Sequence, residues 1–139
     1  MTAPAHRVAF ETIAQRLLQS PPTVSGLSQA LGGPVVAPGS DVTFKLDAAP
    51  FTAVNISEFR GTVDLVFHLA PGPRAFRDVV AEPSAWDSGP RLPDSGVLEA
   101  GRTWKAPGRS ITCGVRLDGK GPLATLAVIG QAYCQVTAL

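Results

Sequence analysis

Residues 121–139 constrain this chain most: GPLATLAVIGQAYCQVTAL contains no charged side chain. Such a run has to lie in a protein core, in a membrane or against another chain. A spanning helix needs about 20 mainly apolar residues. Here Pro122, Gly130, Gln131 and Gln135 interrupt the run, and its longest apolar core, residues 123–129, has the length of a strand. Directly before it, Ile111, Cys113, Val115 and Leu117 alternate with Thr112, Gly114, Arg116 and Asp118, the two-residue period of a half-buried strand. Asp118-Gly119-Lys120-Gly121 between the runs has turn composition. The sequence therefore predicts a β-hairpin whose second strand is buried on both faces. A turn at residues 119–121 sets Cys113 opposite a residue near Val128. Pairing Cys113 with Cys134 requires Gly130 to bend the strand.

More strands are predicted upstream. Val42, Phe44 and Leu46 alternate with polar residues, and residues 52–59 carry Val54 and Ile56 on one face. Val63, Leu65, Phe67 and Leu69 point one way from residues 62–69, the clearest strand of the chain. Residues 97–105 read as two short strands or as one with a bulge at Gly101. The 14 glycines and 13 prolines favour turns over long helices. Only one helix is convincing, over residues 5–19, where Phe10, Ile13, Ala14, Leu17 and Leu18 make an apolar stripe. The expected fold is mainly β: a β-sandwich of jelly-roll or immunoglobulin-like type at residues 41–139, preceded by an amphipathic helix and an uncharged arm at residues 1–40.

With 12 basic and 11 acidic residues, the net charge of +1 gives no long-range pull toward nucleic acid or an anionic membrane. Residues 13–33 have the rhythm of a helix-turn-helix, but no basic residue falls in the second helix, so direct nucleic-acid reading is not expected. Neither is membrane insertion. The first residues lack the continuous apolar segment of an export signal and place Glu11 and Arg16 where one would be. The chain is accordingly expected to be made in the cytoplasm, with Cys113 and Cys134 reduced.

The sequence carries few signatures of chemistry. Phosphate-binding glycine loops, a nucleophile elbow and metal-ligand spacing are absent from the sequence. His68, with Asp64 on the same strand face and Glu58 on a neighbouring strand, is the best acid–base candidate, yet nothing places a nucleophile or oxyanion donor beside it. It reads as a surface residue at a strand end. Arg102, Lys105, Arg109, Arg116 and Lys120 give residues 101–120 a local positive excess, read as a solvated rim of strand edges. No catalytic, cofactor or metal residues are assigned.

Two functions stay open. The first is a non-enzymatic structural subunit of a larger assembly, such as a phage-like capsid, decoration or tail component. It would meet copies of itself or other subunits through Phe10, Ile13, Leu17, Val24, Leu27, Leu31, Val35 and Val36. The argument is that an uncharged arm orders only against an apolar surface, and a neighbour could supply it. The alternative is a small-ligand or carbohydrate-binding β module using Trp86 and Trp104 as stacking platforms.

Overall fold

A computed structural model describes residues 8–88, 97–119 and 121–139. Two helices, Phe10–Leu18 (α1) and Val24–Ala30 (α2), precede seven strands. These are Val42–Ala48 (β1), Phe51–Phe59 (β2), Thr62–Leu69 (β3), Asp87–Ser88 (β4), Val97–Ala106 (β5), Arg109–Asp118 (β6) and Ala127–Ala138 (β7). They form one open antiparallel sheet in the order β1-β2-β3-β7-β6-β5-β4, in which the two-residue β4 is only an edge fragment. Two meanders, β1–β3 and β5–β7, are thus joined along β3 and β7.

The mainly β expectation holds, but the described strands make one sheet rather than the two layers of a sandwich. The reason lies in what covers the apolar face. Val54, Ile56, Val63, Leu65, Phe67, Ile111, Cys113, Val115, Ala132, Cys134 and Val136 all point to one side and are buried. The matching apolar surface comes from the helices: α1 packs on β5 and β6, and α2 on β2. Phe10 sits at the centre, with its ring centroid 5.2 Å from Phe51, 5.5 Å from Phe67 and 5.9 Å from Trp86. A sheet with one face covered by helices needs no second sheet.

The arm follows the same logic. Thr23 caps α2 by accepting from the Gly26 amide at 2.9 Å. The buried Ser28 hydroxyl donates to the Pro34 carbonyl at 2.7 Å, and the Val36 amide donates to Ser25 Oγ at 3.0 Å. These bonds fold residues 31–36 back onto α2, and Gly33 lies against the Phe44 ring with no room for a side chain. Five of the eight interface candidates, Phe10, Ile13, Leu17, Val24 and Leu27, are therefore buried in the chain's own core. Leu31 and Val36 are half-buried against it, and Val35 stays 75% exposed.

Glu11 pins α1 to the segment before β4. Its carboxylate accepts from the Ala81 and Glu82 amides at 2.9 and 2.7 Å and from Trp86 Nε1 at 3.5 Å. Arg102 Nη1, on the covered face of β5, lies 4.0 Å from Glu11 and 3.7 Å from Glu82.

The hairpin of β6 and β7 differs from its expected register. Asp118 pairs with Ala127, so the connection is longer than a tight turn and holds a single 3-10 turn at Leu123–Thr125. Gly130, at φ 69°, then makes a bulge in which residues 129–131 face Arg116 alone. Together these offsets bring Cys134 opposite Cys113, where the two form a disulfide across a Cα–Cα distance of 4.0 Å. The expected reduced thiols are in this respect corrected, through the bend at Gly130 on which a bridge depends. Burial of β7 on both faces is also not found. Ala132, Cys134 and Val136 are buried, but Gln131 and Gln135 on the other side are exposed and Tyr133 is half-buried. Neutral polar side chains, not a second apolar layer, account for the missing charge.

Candidate functional site

The second face of the sheet is uncovered, as antiparallel sheets allow. It carries short polar side chains in cross-strand pairs. Asn55 Nδ2 donates to Thr43 Oγ1 at 2.8 Å, Thr103 and Thr112 share a hydroxyl hydrogen bond of 2.9 Å, and Gln131 Nε2 lies 3.1 Å from His68 Nδ1. Such pairs satisfy a solvated sheet face and contribute register rather than chemistry.

Between them, around β7, lies a concavity of about 770 Å³. Its polar lining comprises Ser57, Asp64, Arg116, Gln131, Tyr133 and Gln135. The Gly130 bulge shapes one end by lifting Ile129 and Gly130 into the rim. Tyr133, the chain's single tyrosine, shapes the floor. Its register partner on β6 is Gly114, and next in the row on β5 is Gly101. The phenol end of Tyr133 occupies the space that a Cβ on Gly114 would need, with Cε1 2.7 Å from that position. The glycine lets the ring lie across the neighbouring strand instead of standing off the sheet.

Asp64 is the chemical exception on this face. It sits on β3 opposite Gln135, its Oδ1 is inaccessible to solvent, and no donor reaches that atom. A buried acceptor left unpaired costs about 1–3 kcal/mol; here that concerns one oxygen, since Asp64 as a whole is only half-buried. Arg116, on β6 at the bulge, is exposed; its cross-strand neighbour on β5 is Glu99, with no ion pair formed. Nor do Asp64 and Arg116 pair with each other, because the ion pairs among the described residues involve Arg102 only.

The sequence-predicted site residues fall elsewhere. Trp86 is 4% exposed and stacks in the core against Phe10, Phe76 and Trp104, so it offers no platform. Trp104 is half-buried under the Arg102 guanidinium, 4.7 Å from its ring centroid. His68 does share the open face with Asp64, but it stands opposite Ala53 and Gln131, while Glu58 pairs with Val63 on the register of the covered face. The basic residues of 101–120 do not form one patch. Arg102 is engaged beneath α1, Arg109 donates to the Ser20 carbonyl, and Lys120 lies outside the described residues. Among the described residues no group of three or more His, Cys, Asp or Glu could hold a metal ion, and no helix is long and apolar enough to cross a membrane.

Asp64, Arg116 and Tyr133 were missed as a group because sequence alone did not give the pairing of β3 with β7. The usable signal was the alternation of Gln131, Tyr133 and Gln135 with Ala132, Cys134 and Val136. Comparison with protein-family models, with curated proteins and with solved structures gives no match.

Gly114→Ala is expected to push the Tyr133 ring out of its seat and to cost about 1–3 kcal/mol through overpacking. One tyrosine makes its ring resonances unambiguous in NMR spectra. Unchanged resonances together with an unchanged melting temperature would contradict the ring position.

Proposed function

We propose that this chain is a non-enzymatic binding module that takes a small polar ligand on the open face of its sheet. The carrying observation is the concavity itself, which brings Asp64, half-buried and outside any ion pair of the described residues, together with an unengaged guanidinium and an aromatic ring. Pockets of this type, with a few convergent polar groups, are where ligands bind most often. The reading keeps the ligand-binding alternative drawn from sequence and moves it from Trp86 and Trp104 to Asp64, Arg116 and Tyr133.

The test is an amide-resolved NMR screen of the intact chain against small sugars, amino acids, amines and carboxylates. Shifts are expected to cluster at residues 64–66, 116 and 131–135. Shifts confined to the surroundings of Trp104, or none anywhere, would sink the reading.

A second reading, a structural subunit such as a phage-like virion component, is supported by β1. Among the described strands it pairs only with β2, which leaves an edge of the kind through which copies of a chain add strands to each other. Val35 and Phe59 are large apolar side chains left 75% and 66% exposed. Light scattering decides: a monomer at high protein concentration removes the homo-oligomeric form of this reading.

A further inference from the structure

We propose that the ligand of the open face is a neutral pyranose sugar, stacked by its C–H side on the ring of Tyr133. This rests on the binding reading above and adds the ligand's class.

The register sorts the open face around the concavity into rows that cross the sheet. Val66, Tyr133 and Gly114 are successive partners on β3, β7 and β6, Gly101 follows on β5, and Asn55 on β2 ends the row at the other side. Between Asn55 and Gly101 the only polar side-chain atom of this row is the Tyr133 hydroxyl. On one side of it runs a row of Ser57, Asp64, Gln135 and Thr112. On the other, His68 partners Gln131, next to the bulge that faces Arg116. Like-facing residues of one strand are about 7 Å apart, so Gln131 and Gln135 flank Tyr133 from both directions along β7. The floor is thus an apolar lane between two polar rows.

The ring lies flat in that lane. Cζ, Oη and Cε1 of Tyr133 all crowd the place of a Cβ on Gly114, at closely similar distances. A ring standing on its edge would bring one of these atoms much nearer than the others. One face of the ring therefore rests on β6. The opposite face is turned to the concavity, which Tyr133 lines while half-buried.

A flat aromatic face with amide side chains at either edge complements a molecule that is apolar on its face and polar around its rim. A pyranose has that form, with C–H bonds on its face and hydroxyls around it. Those hydroxyls both donate and accept, as glutamine amides do. Charge selects the same class. The lining holds one carboxylate, Asp64, and one guanidinium, Arg116, so it offers no net attraction to an ion. A nucleotide could stack on the same ring, but it brings phosphate charge to a lining with a single cation. The volume of about 770 Å³ falls within the range of about 300–1,000 Å³ of small-molecule sites.

The experiment titrates the intact chain with cellobiose, maltose, lactose, adenosine, hexylamine and hexanoate. It reads amide resonances and nuclear Overhauser effects to the Tyr133 ring, whose protons are those of the single tyrosine. At least one disaccharide is expected to bind more tightly than the other three compounds and to show effects between its ring C–H protons and Tyr133. Tyr133→Leu, which keeps apolar bulk without a ring face, is expected to weaken that disaccharide by about two- to ten-fold, and Tyr133→Phe by less. A disaccharide that binds without effects to the ring, or equally well to the leucine variant, overturns the proposal. If only adenosine or a charged compound moves the open-face resonances, this proposal fails while the open-face site stands. If no compound moves them, both fail. Because the comparison among ligands uses the unmodified chain, a variant that does not fold leaves the result decisive.

Discussion

Removing residues 1–40 is expected to abolish the β-sheet signal in circular dichroism, because the helices form one wall of the hydrophobic core on which the strands pack. Phe10, Ile13, Leu17, Val24 and Leu27 are all buried against the sheet. Each fully buried side chain of this size contributes about 1.5–3 kcal/mol. Five together supply roughly 8–15 kcal/mol, which matches the whole net stability of about 5–15 kcal/mol of a typical domain. Truncation also exposes Val54, Leu65, Phe67 and Ile111 to water. The single substitution Phe10→Ala removes the ring that touches Phe51, Phe67 and Trp86. It should cost about 3–5 kcal/mol by itself. A truncated chain that kept its sheet would restore the expectation that residues 41–139 stand alone and that the arm serves a neighbour.

The second large effect is expected from the disulfide. Cys113 and Cys134 close a loop with a sequence separation of 21. In the chain-entropy account such a loop is worth about 3 kcal/mol. Reduction, or replacement of both residues by alanine, is therefore expected to lower the melting temperature by about 10 °C. The side chains are buried, so the alanine pair also leaves a small cavity beside Leu65 and Arg102, their register neighbours. Alkylation of the denatured, unreduced chain followed by mass measurement should detect no free thiol. Two alkylated cysteines would remove the bridge and the stability assigned to it. The bond also bears on where the chain resides, since a reducing cytoplasm opposes a structural disulfide.

Much of the sheet was legible in the sequence, because a two-residue apolar period is a local signal. Val63, Leu65 and Phe67 on β3 and Ile111, Cys113 and Val115 on β6 were assigned to a buried face, where they are found. The stripe of α1 from Phe10 to Leu17 was legible for the same reason, whereas Val24–Ala30, expected only as part of an uncharged arm, forms a second helix. Layering was not. An apolar strand face does not say whether a helix or another sheet will cover it, and Phe10 carries no mark of being the centre of the core. Register failed where two offsets added, the long connection before Leu126 and the bulge at Gly130. The open-face site failed with it, because Asp64 on β3 is far in the chain from Arg116 and Tyr133 of the β6–β7 hairpin and joins them only once β3 lies beside β7. Trp86 and Trp104 misled for a simple reason. Sparse tryptophans in a turn-rich segment suggest exposed platforms, whereas here the residues after β3 fold inward and carry Trp86 onto Phe10 and Phe76.

The place of β7 between β3 and β6 has a further consequence, for the nascent chain. On a ribosome the first meander emerges early, yet β3 has no partner on its inner edge until Ala127–Ala138 follows. At roughly 5–20 residues per second, the gap between Leu69 and Ala127 lasts about 3–12 s. For that interval Val63, Leu65 and Phe67 sit on an unpaired strand edge, the state in which one polypeptide can pair with the next instead of with itself. Asp64 and His68, spaced along that edge, interrupt its apolar run with polar groups. Charged and polar side chains on an exposed strand edge discourage such pairing, and Asp64 places one at the middle of this edge.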